Sequence, residues 1–105
     1  MKQQIEVEKN QFLDLLSKVY SDRENLSEEF LESLIYAGSE INKLKPKEDI
    51  RYIVNTFEDS LVVEANRLTA NKLKFPEGYN ELFKFLSEIK SKYRTRIISY
   101  LNIMV

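Results

Sequence analysis

Residues 50–68 read IRYIVNTFEDSLVVEANRL, and the spacing of their apolar side chains decides the fold class. Ile50, Ile53, Val54, Phe57, Leu61 and Leu68 fall on one face when successive residues are rotated by about 100°, as an α-helix rotates them. The stretch therefore predicts an amphipathic helix whose apolar stripe lies against a core. With only two glycines and two prolines in 105 residues, and no segment of sustained strand-like alternation, the rest of the chain is read for helices as well.

Upstream, Phe12, Leu15, Leu16, Val19 and Tyr20 recur at the spacing of one buried helical face and predict a first helix over residues 9–20. Ile5 and Val7 precede it without an assigned place. A polar break, SDREN at 21–25, leads to Ser27, the expected N-cap, with Glu28 and Glu29 in the first turn that the helix dipole favours. The second helix carries Phe30, Leu34, Ala37, Ile41 and Leu44, widened by Leu31 and Ile35 as suits contact with two neighbours, and its Ala37-Gly38 pair would permit close approach. It is expected to end near Leu44. Pro46 is expected in the first turn of the third helix, with Glu48 and Asp49 complementing the dipole there.

Downstream, ANKLKFPEGYNE at 70–81 breaks the pattern, and Pro76 is expected to open a fourth helix. Its apolar side holds Tyr79, Leu82, Phe83, Leu86, Ile89, Tyr93, Ile97, Tyr100 and Leu101, a run of about 25 residues and about 38 Å. Short connections favour an all-α, antiparallel up-and-down four-helix bundle, one domain over 1–105, with a long fourth helix and an apolar C-terminal tail. Phe12, Phe30, Phe57, Tyr79, Phe83 and Tyr93 sit at core spacing and are expected to pack there.

Composition narrows the chemistry. The chain has no cysteine and no histidine, which removes thiol nucleophiles, disulfides, the commonest general base and the usual transition-metal ligands. No catalytic, cofactor-binding or metal-ligating residue is predicted. The opening MKQQIEVEKNQ lacks the apolar stretch of a signal peptide, and no apolar run approaches the roughly 20 residues that span a bilayer, so a cytoplasmic location is expected. FPEGYNE lacks the glycine spacing of a phosphate loop. Glu64 projects near the apolar face of the third helix and is expected to form an edge salt bridge with Arg67 or with a cation from another helix.

The charge is not evenly spread. Net charge is −1, yet from Ser87 onward Lys90, Lys92, Arg94 and Arg96 face a single acid, Glu88, so this end is +3 and residues 1–86 carry −4. On a helix Lys90 and Arg94 lie on one flank of the apolar stripe, and Lys92 and Arg96 on the other. The simplest reading is that these side chains lay their stems along the core edge and keep their charges in water. The cluster runs directly into IISYLNIMV at 97–105, where Ile98 and Ile103 fall off the main stripe, so the tail either caps the bundle or exposes apolar surface. A basic helix ending in an apolar segment suits anionic lipid headgroups or an acidic, membrane-proximal protein partner.

The order of these features resembles the immunity proteins of pediocin-like (class IIa) bacteriocins, especially the enterocin A immunity group. The resemblance covers most of the length: a short first helix, LESLIYAGSEINKLKP as second helix and break, a core third helix, and NKLKFPEGYNELFKFLSEI opening a long fourth. It implies a small cytosolic, non-enzymatic four-helix bundle without cofactors that protects a cell from a secreted antimicrobial peptide. Such proteins are understood to act from inside on membrane components of the mannose phosphotransferase system, alone or in complex with the peptide, and peripheral membrane contact is compatible with this. Their specificity lies in the C-terminal half. Carried to this sequence, target recognition would fall on Lys90, Lys92, Arg94, Arg96, Ile98, Tyr100, Ile103, Met104 and Val105. The alternative reading is a helical adaptor or regulatory module that binds a protein partner through its C-terminal apolar segment.

Overall fold

The computed structural model describes the backbone of residues 2–104 and the side chains of residues 4–92. Four helices follow in order, α1 (Lys2–Ser21), α2 (Glu28–Lys43), α3 (Arg51–Ala70) and α4 (Tyr79–Met104), and no strand occurs among the described residues. α1 packs on α2 and α4, and α3 packs on the same two helices, so the four close into a ring around one apolar core. The expected all-helical bundle is therefore present.

Each helix boundary has a local cause. Ser27 caps α2, its Oγ accepting the Phe30 N–H at 3.1 Å, while Glu28 and Glu29 occupy the first turn. α3 ends in a Schellman arrangement: Leu73 N–H donates to the Leu68 carbonyl at 2.9 Å and Lys72 N–H to that of Thr69 at 3.1 Å. Lys72 takes the left-handed conformation this requires, at φ 56°.

Both prolines sit outside the helices they were expected to open. Pro46 follows Lys45 in a turn closed by Glu48 N–H to the Lys45 carbonyl at 2.9 Å, and α3 begins only at Arg51. Glu48 and Asp49 tie this loop together, accepting the N–H of Lys45 and of Arg51 at 2.9 and 3.0 Å. Pro76 likewise starts a turn, in which Tyr79 N–H reaches its carbonyl at 3.2 Å and Gly78 stands at φ 87°. That positive φ suits the third position of a type II turn and is incompatible with a right-handed helix, so α4 waits until Tyr79.

α1 begins seven residues earlier than its expected start at Lys9, at Lys2. The inward face continues past Phe12 through Glu8 and Lys9, both buried, so the helix goes on where the apolar pattern stops. Two other expectations fail on angular grounds. Phe83 is 47% exposed whereas Phe85 is buried, because Phe83 lies roughly 95° from the mean direction of Leu82, Leu86 and Ile89, and Phe85 only about 65°. Ile35 is exposed for the same reason, about 130° from the face of Phe30, Leu34, Ala37 and Ile41. Gly38 is not used for close approach: a Cβ there would meet nothing within 4 Å.

The core is organised by aromatic rings from every helix. Phe85 stands 5.7 Å from Phe12, Phe12 stands 6.0 Å from Phe57, Phe57 lies 5.9 Å from Phe30, and Phe30 lies 6.0 Å from Tyr79. These separations fall in the range of favourable ring contacts. The Tyr79 hydroxyl donates to the Leu61 carbonyl, so the single polar atom of this cluster is satisfied, and burial raises its pKa above the ordinary phenol value.

Candidate functional site

The predicted recognition set begins on α4 where its apolar stripe reaches Ile89, which is buried. Lys90 donates to Glu58 Oε1 of α3 at 2.8 Å, and Lys92 donates to Glu8 Oε2 of α1 at 2.8 Å. The two lysines thus leave the stripe in opposite directions, as their helical spacing predicts. Each first serves to fasten α4 to a neighbour. Arg94, Arg96, Ile98, Tyr100, Ile103, Met104 and Val105 lie outside the described side chains, as do Tyr93, Ile97 and Leu101.

The two pairs differ in setting. The Glu8 carboxylate is almost wholly buried and also takes a 3.5 Å contact from Gln4 Nε2, whereas Glu58 and Lys90 are both partly open to water. Beside Glu8, the buried Lys9 donates to the Lys45 carbonyl in the α2–α3 connection at 3.1 Å. A buried ion depends on such partners, because desolvation without them costs several kcal/mol. Sequence reading missed Glu8 and Lys9. The available signal was their register: four and three residues before Phe12, respectively, they occupy the next positions of its stripe.

Glu64 forms the second polar centre. The expected pairing with Arg67 is present, Nε to Oε1 at 2.9 Å and Nη2 to Oε2 at 3.0 Å, but the carboxylate is buried rather than at an edge. It also accepts the Ser27 N–H at 2.7 Å on Oε2 and the Ser27 hydroxyl at 2.9 Å on Oε1, while Arg67 Nη2 reaches the Asn25 carbonyl. Burial alone would raise the Glu64 pKa; the hydrogen bonds from Arg67 and Ser27 outweigh it and hold the carboxyl below its ordinary value. Both oxygens are thus occupied by donors from the protein. The arrangement clasps the start of α2 to the last turns of α3.

Among the described residues no group of three or more Asp or Glu side chains is gathered as a cation would need. No described helix is long and apolar enough to cross a membrane. An open groove of about 420 Å³ runs between α2 and α3, floored by Ala37, Ile53 and Phe57. No protein-family description matches this chain, and neither a curated protein nor a solved structure matches it.

Proposed function

We propose that this chain is a bacteriocin immunity protein of the pediocin-like group, a cytoplasmic, non-enzymatic antiparallel four-helix bundle that protects a cell against a secreted antimicrobial peptide. In this reading the mannose phosphotransferase membrane receptor, alone or carrying the peptide, is engaged from the cytosolic side by Lys90, Lys92, Arg94, Arg96 and the segment from Ile98 to Val105. Peripheral contact with the membrane accompanies that engagement.

The observation that carries the reading is the double anchorage of α4. Lys90–Glu58 and Lys92–Glu8 grip the helix from both flanks at the point where the sequence becomes cationic and then apolar. A recognition segment gains from a fixed root, since less conformational freedom is lost on binding. The antiparallel arrangement is supported by which ends meet. Lys18 near the end of α1 pairs with Glu81 at the start of α4 at 2.8 Å, and Ser27 at the start of α2 pairs with Glu64 late in α3. Glu8 early in α1 pairs with Lys92 far along α4. The short connections 22–27, 44–50 and 71–78 favour the same topology.

The test is survival of a sensitive strain expressing this chain and challenged with a panel of pediocin-like bacteriocins, beside a version ending at Ser99 whose helicity and cooperative unfolding are verified. Selective protection by the full chain that is lost on truncation is the expected result. Absence of protection against every peptide, at good expression, would instead favour the helical adaptor that binds a protein through its C-terminal segment.

A further inference from the structure

A second surface, away from the α4 residues just described, carries its own signature. In the α2–α3 groove, Tyr36 forms one wall beside the apolar floor, and Ser33 and Ser60 meet across the seam at 3.1 Å. Small side chains at this seam leave the groove open along the helix axes. From Glu29 to Ala37 it follows α2 for about 12 Å, a little over two helical turns. A smaller recess of about 230 Å³ shares Glu29, Ser33 and Ser60 and continues it toward Val63. Tyr36 on the wall of the groove and Val63 in the recess are 61% and 68% exposed, so the two stretches present apolar surface to solvent.

Charge selects the occupant. Glu29 and Glu32 line the rim, and α2 as a whole has Glu28, Glu29, Glu32 and Glu40 against Lys43 alone. On α3 the two arginines already hold acids, Arg51 on Asp49 and Arg67 on Glu64, whereas Asp59 lines the smaller recess. An apolar trough between helix ridges accepts a further helix, and an acidic rim favours cationic flanks while repelling anionic lipid and nucleic acid. We propose that the α2–α3 groove is a docking site for a cationic amphipathic helix of a protein partner, its apolar face against Tyr36 and Val63 over the buried floor of Ala37, Ile53 and Phe57, and its basic flanks toward Glu29 and Glu32. This surface stands independently of the immunity reading.

The experiment titrates the isotope-labelled full chain with a synthetic Leu/Lys amphipathic peptide of about 14 residues, long enough to fill the groove as a helix. A scrambled peptide of equal composition and a Leu/Glu peptide of the same pattern serve as controls. Amide shifts centred on Glu29, Ser33, Ala37, Thr56 and Ser60, weakened by salt and absent with either control, are expected. The Glu29→Lys/Glu32→Lys variant should weaken binding by about tenfold or more. Thr56→Trp, at an exposed lining position, should weaken it comparably by filling the trough without altering a charge. Circular dichroism verifies that both variants are folded. Shifts centred elsewhere, equal binding of the scrambled peptide, or unchanged affinity in either variant would overturn the proposal. Concentration-dependent shifts of the same residues without peptide would also overturn it, assigning the groove to a second copy, whose residues 93–105 contain Arg94 and Arg96 and no acid.

Discussion

Glu8 on α1 and Lys92 on α4 meet at 2.8 Å, with the carboxylate almost fully buried and the lysine side chain one-third exposed. The asymmetry decides what mutation does. Removing Lys92 takes away a cation that donates to a buried carboxylate, whereas removing both charges relieves the desolvation problem. Lys92→Ala should destabilise by about 3 kcal/mol, the low end for a broken buried pair because water reaches the lysine. Glu8→Gln combined with Lys92→Met should recover most of that loss. Urea unfolding of the single and double variants measures both terms, and an additive double variant would show that the two groups are energetically uncoupled.

The Glu64 clasp predicts a direction for acid sensitivity. Its folded pKa lies below the ordinary 4.5, so the unfolded chain binds more protons in that range and stability rises with pH there. The contribution is complete above the unfolded value and declines as pH falls through the folded one. Glu64→Gln should cost about 2 kcal/mol near neutrality through imperfectly paired buried donors. The gap between native chain and variant should stay level well above pH 4.5 and narrow below it. Denaturant midpoints measured across pH check this, and a gap that widens on acidification would contradict the assigned partners.

Lys72 holds the left-handed position that closes α3, and glycine adopts that conformation without the steric cost borne by a side chain. Lys72→Gly should therefore stabilise by about 0.5–1 kcal/mol. Gly78 gives the converse case, since its φ is 87° and an added Cβ would stand 3.0 Å from the Lys18 stem. Gly78→Ala should destabilise by about 1–2 kcal/mol. Thermal unfolding of the two variants, expected to shift in opposite directions, tests both assignments.

The contrast between Lys72 and Gly78 also shows what could be read from the sequence. Apolar stripes located all four helices and, Ile35 apart, the inward apolar residues of α2 and α3, because burial imposes a helical period on the order of residues. Ser27 was legible as a cap, since its hydroxyl and the following glutamates form a local signal. Lys72 was not, because a helix stop in the left-handed conformation without glycine leaves no mark. Pro46 and Pro76 carry the local signal of a helix start, yet each serves a turn ahead of the helix, a choice made by the residues that follow. The anchorage of α4 was half legible. Spacing placed Lys90 and Lys92 on opposite flanks, but their partners Glu58 and Glu8 lie 32 and 84 residues away in sequence and meet them only through packing. The α2–α3 groove was invisible because it depends on how closely two helices approach at Ser33 and Ser60.

Phe57 and Phe83 looked alike in sequence, each on an apolar stripe, and the fold separates them. Phe57 sits between Phe12 and Phe30 at the centre of the ring cluster, whereas Phe83 stands on the outer side of α4, nearly half exposed. Removing the first ring forfeits buried area and opens a cavity that three helices must close around. Phe57→Ala should cost about 3–5 kcal/mol, while Phe83→Ala should fall within about 0.5 kcal/mol of the native chain. Phe85→Ala should lie between them, since its ring packs on Phe12 at the core margin. Chemical denaturation of the three variants orders them. If Phe83→Ala proved more damaging than Phe85→Ala, α4 would have to be rotated about its axis relative to α1, moving Lys92 away from Glu8 and Lys90 away from Glu58.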